Sequence, residues 1–151
     1  LMYYARMMKK RDKTENLVLQ ILDTAAALER RLDSALSLSR GITFREYRLL
    51  NTLAHSANNG LTRVALARSA SLTPSAVTRA LKPLEKLGYV TTTKSDRDAR
   101  QSLATLTRGG KTLLADVDGV LTDFFVGLDM PSKNQAEIEE LLEILTRLRR
   151  R

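Results

Sequence analysis

The sequence contains no cysteine and no tryptophan, and aromatic residues make up only 5% of its 151 residues. Without cysteine, the chain can form no disulfide, no thiolate metal site and no thiol redox switch. Because aromatic side chains are few, small aliphatic side chains must fill the core, which favours packed helices. A chain of this length predicts a single domain, spanning residues 1–151, whose core needs neither a disulfide nor a metal.

Histidine occurs once, as His55, and the carboxylates are scattered along the chain. Catalysis requires titratable groups that converge, so we expect the protein not to be an enzyme. A zinc site requires several His, Cys or carboxylate ligands, so we expect no metal and no cofactor. His55 is then expected to be a structural or surface residue.

The sequence also lacks any run of 18 apolar residues, which excludes a membrane-spanning helix. Residues 1–11 are basic but lack the apolar stretch of a signal peptide, so we expect a cytoplasmic protein with no membrane partner. A membrane-surface role for the basic residues 149–151 is an alternative. Packing between two copies of the chain explains the apolar stripe of the preceding helix better.

Positive charge is abundant, because 25 basic residues face 17 acidic ones and give a net charge of +8. Nine basic and three acidic residues lie between positions 61 and 108, so this third of the chain carries most of the excess. A concentrated basic region is typical of proteins that bind nucleic acid. Charge alone does not distinguish such a surface from an ordinary solvated face.

Apolar residues at spacings of three and four predict a long first helix over residues 13–39. The run Thr43-Phe44-Arg45-Glu46 has the pattern of a capping box and begins a second helix. Thr107 can cap a later long helix, and Ser132-Lys133-Asn134-Gln135 predicts a second capping box before the last helix. Helices thus dominate both ends of the chain.

The middle of the chain predicts two short helices joined by a tight connection. Thr62 can cap the first, which we expect to be buried through Val64 and Ala67. After the short run Ala70-Ser71-Leu72, Thr73-Pro74 opens the second with a preferred N-cap and a proline at the first helical position. Two helices in this arrangement describe a helix-turn-helix.

The second of these helices has one apolar and one polar face. Its predicted buried stripe consists of Val77, Leu81, Leu84 and Leu87, and Gly88 is expected to end the helix in a left-handed conformation. Pro83 removes one helical hydrogen bond, so we expect a bend rather than a break because the stripe stays in phase.

The outward face of that helix carries Ser75, Thr78, Arg79 and Lys82. Arginine can make a bidentate contact to guanine, and serine or threonine can contact either base type. We predict that Ser75, Thr78 and Arg79 contact bases and that Lys82 contacts a phosphate. Thr62 is a further candidate phosphate contact. The alternative is a merely soluble helix face.

A charged loop between two short strands, over residues 89–94 and 102–107, predicts a β-hairpin with a basic tip. The tip contains Arg97, Asp98 and Arg100. An arginine at such a tip can enter a narrow A·T-rich minor groove, and Asp98 would hold Arg100 in place. In a free loop the same residues would form only a salt-bridge cluster of little energetic value.

These runs together resemble the MarR family of winged helix-turn-helix regulators. Leu72–Arg79 and Leu84–Val90 are similar to its recognition helix and the exit of that helix. Asp96–Arg100 is similar to its wing, and Leu106–Gly110 to the start of the following helix. Each motif alone is weak, but all of them occur in the right order and spacing.

The resemblance implies a mainly α fold with a small β-hairpin wing. Residues 43–107 would form the winged helix-turn-helix DNA-binding region, and residues 13–40 and 108–151 would interlock as dimerisation helices. The leucine stripes of these terminal helices agree, because a monomer would expose too much apolar surface. The two recognition helices would then lie about one DNA turn apart, which favours a pseudo-palindromic operator.

The implied function is a sequence-specific transcriptional regulator, expected to be a repressor, that binds double-stranded DNA as a homodimer. Family members often bind a small anionic or phenolic effector between the dimer helices and the winged domain. Tyr47 and Arg48 are expected near such an effector site, although we expect Tyr47 to belong to the core. Members that sense oxidants require a reactive cysteine, which this chain lacks.

A sequence-neutral architectural or RNA-binding protein is the main alternative. RNA-binding modules usually stack bases on exposed aromatic rings, and the basic region contains only Tyr89. An architectural protein would not prefer one operator strongly over random DNA, so the specificity ratio distinguishes the two classes.

Overall fold

The computed structural model describes residues 13–56, 60–94, 102–128 and 134–149. In chain order the elements are α1 (Lys13–Arg40), α2 (Phe44–Ala54), β1 (Gly60–Thr62), α3 (Arg63–Ala70), α4 (Pro74–Lys86), β2 (Val90–Lys94), β3 (Ser102–Leu106), α5 (Arg108–Val126) and α6 (Gln135–Arg149). The predicted mainly helical fold with a small antiparallel sheet is confirmed. No helix in these ranges is long and apolar enough to cross a membrane.

Threonine side chains begin four of the helices. Thr43, Thr62, Thr73 and Thr107 each accept a hydrogen bond from the backbone N–H three residues later. At α2 the capping box is complete, because the Thr43 N–H also donates to the Glu46 carboxylate at 2.8 Å. All four caps were predicted from sequence, and each satisfies a backbone donor that the helix itself leaves unpaired.

The last helix begins later than the sequence predicts. It starts at Gln135 rather than Lys133, and the Asn134 side chain accepts from the N–H of Ala136 at 3.2 Å. The predicted capping box is therefore wrong in its position. Its first residue, Ser132, lies outside the described residues.

The core is formed where α2, α3 and α4 pack together with the sheet, the C-terminal half of α1 and α5. Its fully buried side chains are Leu36, Leu49, Leu50, Leu53, Leu66, Val77, Leu81, Leu84, Ala104 and Val117. Full burial of a leucine side chain contributes about 1.5–3 kcal/mol. Among these residues, Val77, Leu81 and Leu84 anchor α4 in the core.

The sheet has three strands in the order β1-β3-β2, all antiparallel. The predicted hairpin of β2 and β3 is confirmed, and β1 is an addition that sequence analysis missed. Gly60 permits the close pairing, because a Cβ there would lie 3.0 Å from both the Leu103 and the Thr105 side chains. A strand of three residues shows no alternation that a sequence pattern could reveal.

Two residues predicted to be buried are exposed. Val64 is 60% exposed because α3 turns Leu66 and Ala67 towards α2 and α4 instead. Leu87 is 57% exposed because the helix has already ended at Lys86. The predicted burial of Ala67 is confirmed, as is that of the rest of the α4 stripe.

Helix α4 continues without interruption through Pro83. The carbonyl of Pro83 accepts the N–H of Leu87 at 3.0 Å, so the helix closes its last turn normally. The prediction that the proline does not break the helix is confirmed, and the bend there stays a prediction.

The terminal helices are packed much less completely. Helix α1 packs against α5, where the Arg31 guanidinium lies 5.4 Å from the centre of the Phe124 ring. In α6, none of the described side chains is buried. Its leucines Leu141, Leu142, Leu145 and Leu148 are between 43% and 57% exposed.

Candidate nucleic-acid interface

Helix α4 presents a polar face to solvent because its opposite face is anchored. Val77, Leu81 and Leu84 are buried in the core. Ser75, Arg79 and Lys82 are exposed. Their spacing of four and three residues places these three side chains on one side of the helix. The structure therefore brings together the predicted contacts of α4 in one stripe of two cations and a hydroxyl.

Thr78 lies at the edge of this stripe and is half-buried. Its hydroxyl donates to the backbone carbonyl of Pro74 at 3.0 Å. With its proton engaged, the Thr78 oxygen remains available as an acceptor, and its methyl group remains available for apolar contact. Sequence analysis placed Thr78 with the exposed residues and could not detect this internal bond.

The turn before α4 is tight, as predicted. Ser71 takes a left-handed conformation with φ of 55°, and the N–H of Leu72 donates to the carbonyl of Ala67 at 2.8 Å. A left-handed conformation costs a residue with a side chain about 1–2 kcal/mol. The turn nevertheless sets the angle at which α4 leaves α3, so the orientation of the polar stripe depends on it.

The exit of α4 is joined to the start of α5. Gly88 is left-handed, with φ of 75°, which confirms the prediction that it ends the helix. The hydroxyl of Thr107 donates to the Gly88 carbonyl at 2.6 Å. Gly110 is required by close approach, because a Cβ there would lie 2.2 Å from the Tyr89 carbonyl oxygen. Sequence analysis predicted Gly88 from its position after the apolar stripe, whereas Gly110 entered only through the family resemblance, and the structure supplies its physical reason.

The wing is described only at its base. Strands β2 and β3 pair from Val90 opposite Leu106 to Lys94 opposite Ser102. The Thr92 hydroxyl donates to the carboxylate of Glu85, which ties β2 to α4. The predicted tip residues Arg97, Asp98 and Arg100 lie outside the described residues, so their contacts stay predictions.

Thr62 combines two structural roles. It is the last residue of β1, opposite Leu103, and it caps α3 by accepting from the N–H of Ala65 at 3.2 Å. The hydroxyl proton of Thr62 is not used by the cap, so it can still donate to a phosphate oxygen. The structure places Thr62 at the junction of β1 and α3 and not on the α4 stripe.

Comparison with known proteins shows which regulators this arrangement resembles. The HTH-type transcriptional repressor Rv2887 of Mycobacterium tuberculosis is 34% identical over 122 residues, covering 80% of this chain and 86% of that protein. The model of the MarR family matches residues 40–101, from the end of α1 to the residue before β3.

This chain belongs to the MarR family. It is accordingly a transcriptional regulator that binds DNA, and not an enzyme. The polar stripe of α4 and the base of the wing lie within or next to residues 40–101, the part of the chain that the family model matches.

Solved structures of MarR-family regulators share the fold. Sco3205 of Streptomyces coelicolor, in complex with DNA, has a TM-score of 0.72 and 30% identity, covering 91% of this chain and 89% of that chain. NadR, in complex with 4-hydroxyphenylacetate, has a TM-score of 0.73 and 22% identity, covering 95% and 99%. The fold prediction for this MarR-family chain is confirmed over almost its whole length.

A cleft of about 400 Å³ lies between α2 and α5 of this MarR-family chain. Its polar lining residues are Asn51, His55, Lys111 and Asp118. His55 is exposed, and its Nδ1 lies 2.8 Å from the carbonyl oxygen of Asn51. It follows α2 as its C-cap residue, so the predicted structural or surface role is confirmed. Across the described ranges, no three His, Cys, Asp or Glu side chains are grouped to hold a metal.

Tyr47 packs against the core close to this cleft. Its ring stacks on Phe44 with 6.0 Å between ring centres. Burial, and secondarily the negative charge of Asp118, raises the pKa of the Tyr47 phenol above its ordinary value. Tyr47 is therefore a neutral, structural residue at neutral pH, as its predicted core role requires.

Proposed function

We propose that this regulator represses transcription by binding a pseudo-palindromic operator as a homodimer. The observation that carries the proposal is the exposed stripe of Ser75, Arg79 and Lys82 on a helix whose other face is buried. A helix held in this way can enter the major groove without unfolding any core contact. Its relative Rv2887, a repressor, supports repression as the mode of action.

Different residues of α4 are proposed to contact the bases and the phosphates of the DNA. Ser75, Thr78 and Arg79 lie in the N-terminal half of α4, the half that normally contacts base edges. Arg79 pairs with a guanine, and Thr78 accepts a hydrogen bond from a base or packs against a thymine methyl group. Lys82 lies one turn further along and contacts a phosphate, as does the hydroxyl of Thr62.

The wing supplies the second contact. Strands β2 and β3 lead to a tip in which Arg97 and Arg100 flank Asp98. We propose that an arginine of this tip enters the minor groove beside the half-site that α4 occupies. The bond between Thr92 and Glu85 supports this, because it fixes the base of the wing relative to α4.

The dimer is inferred from apolar surface that the chain leaves open. Leu17 and Leu22 of α1 and Leu141 and Leu145 of α6 are all exposed. Exposed apolar faces on these helices are typical of an interface, and a twofold dimer would bury them against the same faces of a second copy. The two α4 helices would then lie roughly 34 Å apart, which is one turn of DNA.

The cleft between α2 and α5 is the proposed place of a small anionic or phenolic effector. Its volume of about 400 Å³ is within the usual range for ligand sites. Lys111 offers a positive charge for a carboxylate, and Asn51 offers an amide for a hydroxyl. NadR, which has the same fold, binds the phenolic acid 4-hydroxyphenylacetate. Titration of the operator complex with this acid should release DNA, and Lys111→Ala should raise the concentration required.

Selection from sheared genomic DNA tests the function as a whole. Purified protein is mixed with the fragments at physiological salt, and the retained DNA is sequenced. One or a few inverted-repeat sites are expected, because a dimer of α4 helices recognises two half-sites. Uniform recovery with a steep salt dependence would instead show the sequence-neutral binding of an architectural protein.

The wing is tested separately with the operator recovered in this way. Arg100→Ala should weaken operator binding while leaving the melting temperature unchanged, because the sequence predicts that Arg100 lies in a polar loop. Equal operator affinity for the variant and the unmodified protein would remove the wing from the proposal.

A further inference from the structure

A carboxylate of α1 caps the start of α2. The Asp33 Oδ1 accepts the backbone N–H of Phe44, the first residue of α2, at 2.7 Å. In the capping box, the Thr43 side chain accepts the N–H of Glu46, and the Glu46 carboxylate accepts the N–H of Thr43. Asp33 thus takes a further unpaired donor of the same helix start, and it does so from another helix. The negative charge also lies at the positive end of the α2 dipole.

A cation of α2 in turn caps the end of α3. The Arg48 guanidinium donates to the carbonyl of Ala70, the last residue of α3, at 3.2 Å. That carbonyl lies at the negative end of the α3 dipole, and Ser71 follows it in the left-handed turn. Arg48 therefore holds the backbone at the point where the chain turns towards the recognition helix.

Both contacts are made by the same short helix. Helix α2 is continuous over its 11 residues, and Leu49, Leu50 and Leu53 hold it in the core. Asp33 fixes its start to α1, and Arg48 fixes the α3–α4 turn to its side. A displacement of the C-terminal half of α1 would thus reach α4 through hydrogen-bonded and packed contacts.

We propose that Asp33 and Arg48 are positioning residues that couple the long helix α1 to the recognition helix α4 through α2. This inference rests on the proposed function, in which α4 recognises operator bases. Neither side chain has to touch DNA. Their effect is on the orientation of α4, and so on the preference for the operator over other DNA.

The orientation of α4 and the number of phosphate contacts affect different measurements of DNA binding. Contacts to base edges require side chains in the correct position, whereas sequence-neutral binding depends mainly on the number of phosphate charges neutralised. Loss of a positioning residue should lower operator affinity more than affinity for random DNA. Loss of a phosphate contact should lower both together and reduce the salt dependence of binding.

Arg48→Ala is compared with Arg45→Ala in the full-length protein. Arg45 and Arg48 line one cavity of about 200 Å³, and Arg45 is exposed. Both variants therefore remove one positive charge from the same part of the surface. We expect Arg48→Ala to reduce the ratio of operator to random-DNA affinity by about tenfold, because a hydrogen bond from a charged group is lost. Arg45→Ala should leave this ratio within about twofold. Arg48→Lys should restore part of it, since an ammonium group can also donate to Ala70.

The Asp33 contact is tested with a charge-matched pair. Asp33→Ala and Asp33→Asn each remove the same negative charge, but asparagine keeps an oxygen that can accept the Phe44 N–H. Asp33→Asn should retain the specificity ratio and Asp33→Ala should lose it by several-fold. If Arg48→Ala does not fold, this pair decides the proposal independently.

Two results would overturn the inference. One is an equal specificity ratio for Arg48→Ala and Arg45→Ala, and the other is an equal ratio for the two Asp33 variants. Failure of the proposed function is recognised separately, because the unmodified protein would then show no operator preference at all. Thermal melting and sedimentation of each variant establish that the compared proteins are folded and have the same oligomeric state.

Discussion

The burial of leucine side chains differs greatly between two regions of this molecule. In the winged-helix region, from α2 to β3, leucines such as Leu50, Leu66 and Leu81 are almost completely buried. In α6, leucines such as Leu141 and Leu145 keep about half of their surface exposed. The same residue type thus forms a finished core in one region and an open surface in the other. Most apolar residues of the winged-helix region are buried within the chain, whereas α6 leaves an apolar face that the proposed dimer would cover.

Charge follows the same division. Residues 61–108 have nine basic and three acidic side chains, and the rest of the chain is nearly balanced. The region with the finished core therefore carries the charge for binding DNA. The regions with open apolar surface carry little excess charge, which lowers the electrostatic cost of bringing two copies together. Substitutions in each region should accordingly affect different measurements.

Removal of a core side chain should have the largest effect. Leu81→Ala creates a cavity under α4 and is expected to lower the free energy of unfolding by about 2–5 kcal/mol. Leu87→Ala is the matched control, because this leucine of the same sequence stretch is 57% exposed and should cost less than about 1 kcal/mol. Denaturant unfolding at a fixed protein concentration measures both. Similar losses would contradict the burial difference between the two residues.

A charge placed on the open face of α6 should break the proposed dimer and leave the winged-helix region folded. Leu145→Glu puts a carboxylate in the middle of the apolar face, and we expect the dimer dissociation constant to rise at least about 30-fold. Sedimentation at several concentrations measures this.

Ala136→Glu is the control for this prediction. It adds the same charge to the opposite face of α6, where the side chain is also exposed, and should leave the dimer intact. A dimer that survives Leu145→Glu would show that α6 is not part of the interface.

Within the polar stripe, two cations should separate base recognition from phosphate contact. Arg79→Ala should relax the preference at one base pair, at a cost of about 1–3 kcal/mol at that position. Lys82→Ala should weaken binding to all sequences alike and reduce the salt dependence. Selection of binding sites from random DNA, repeated for each variant, distinguishes the two results. An unchanged base preference in Arg79→Ala would assign this arginine to the phosphates as well.

The smallest effect is expected at the turn before α4. Ser71→Gly removes the cost of a left-handed serine and should raise the free energy of unfolding by about 1 kcal/mol. Ser69→Gly, two residues earlier inside α3, should lower it by about 0.5 kcal/mol because glycine is a poor helix former. Thermal unfolding of the two variants should shift in opposite directions. Shifts of the same sign would mean that the turn is not strained.

The sequence by itself determined the starts of four helices and three of the side chains that face outward on α4. A cap such as Thr43 or Thr73 bonds an N–H three residues away, so the signal is local and visible in the chain. Gly88 ends α4 for the same local reason. The stripe of Ser75, Arg79 and Lys82 followed from helical spacing once those ends were known.

Only the tertiary structure decided the features that depend on residues distant in sequence. Val64 points outward because α2 and α4 select the other face of α3, and a helix of eight residues has too few apolar positions to reveal this. Strand β1 exists because β3, some 40 residues later, pairs with it. The bonds of Asp33 and Arg48 reach across 11 and 22 residues. Such contacts form when the core brings separate helices together, and no local pattern encodes their geometry.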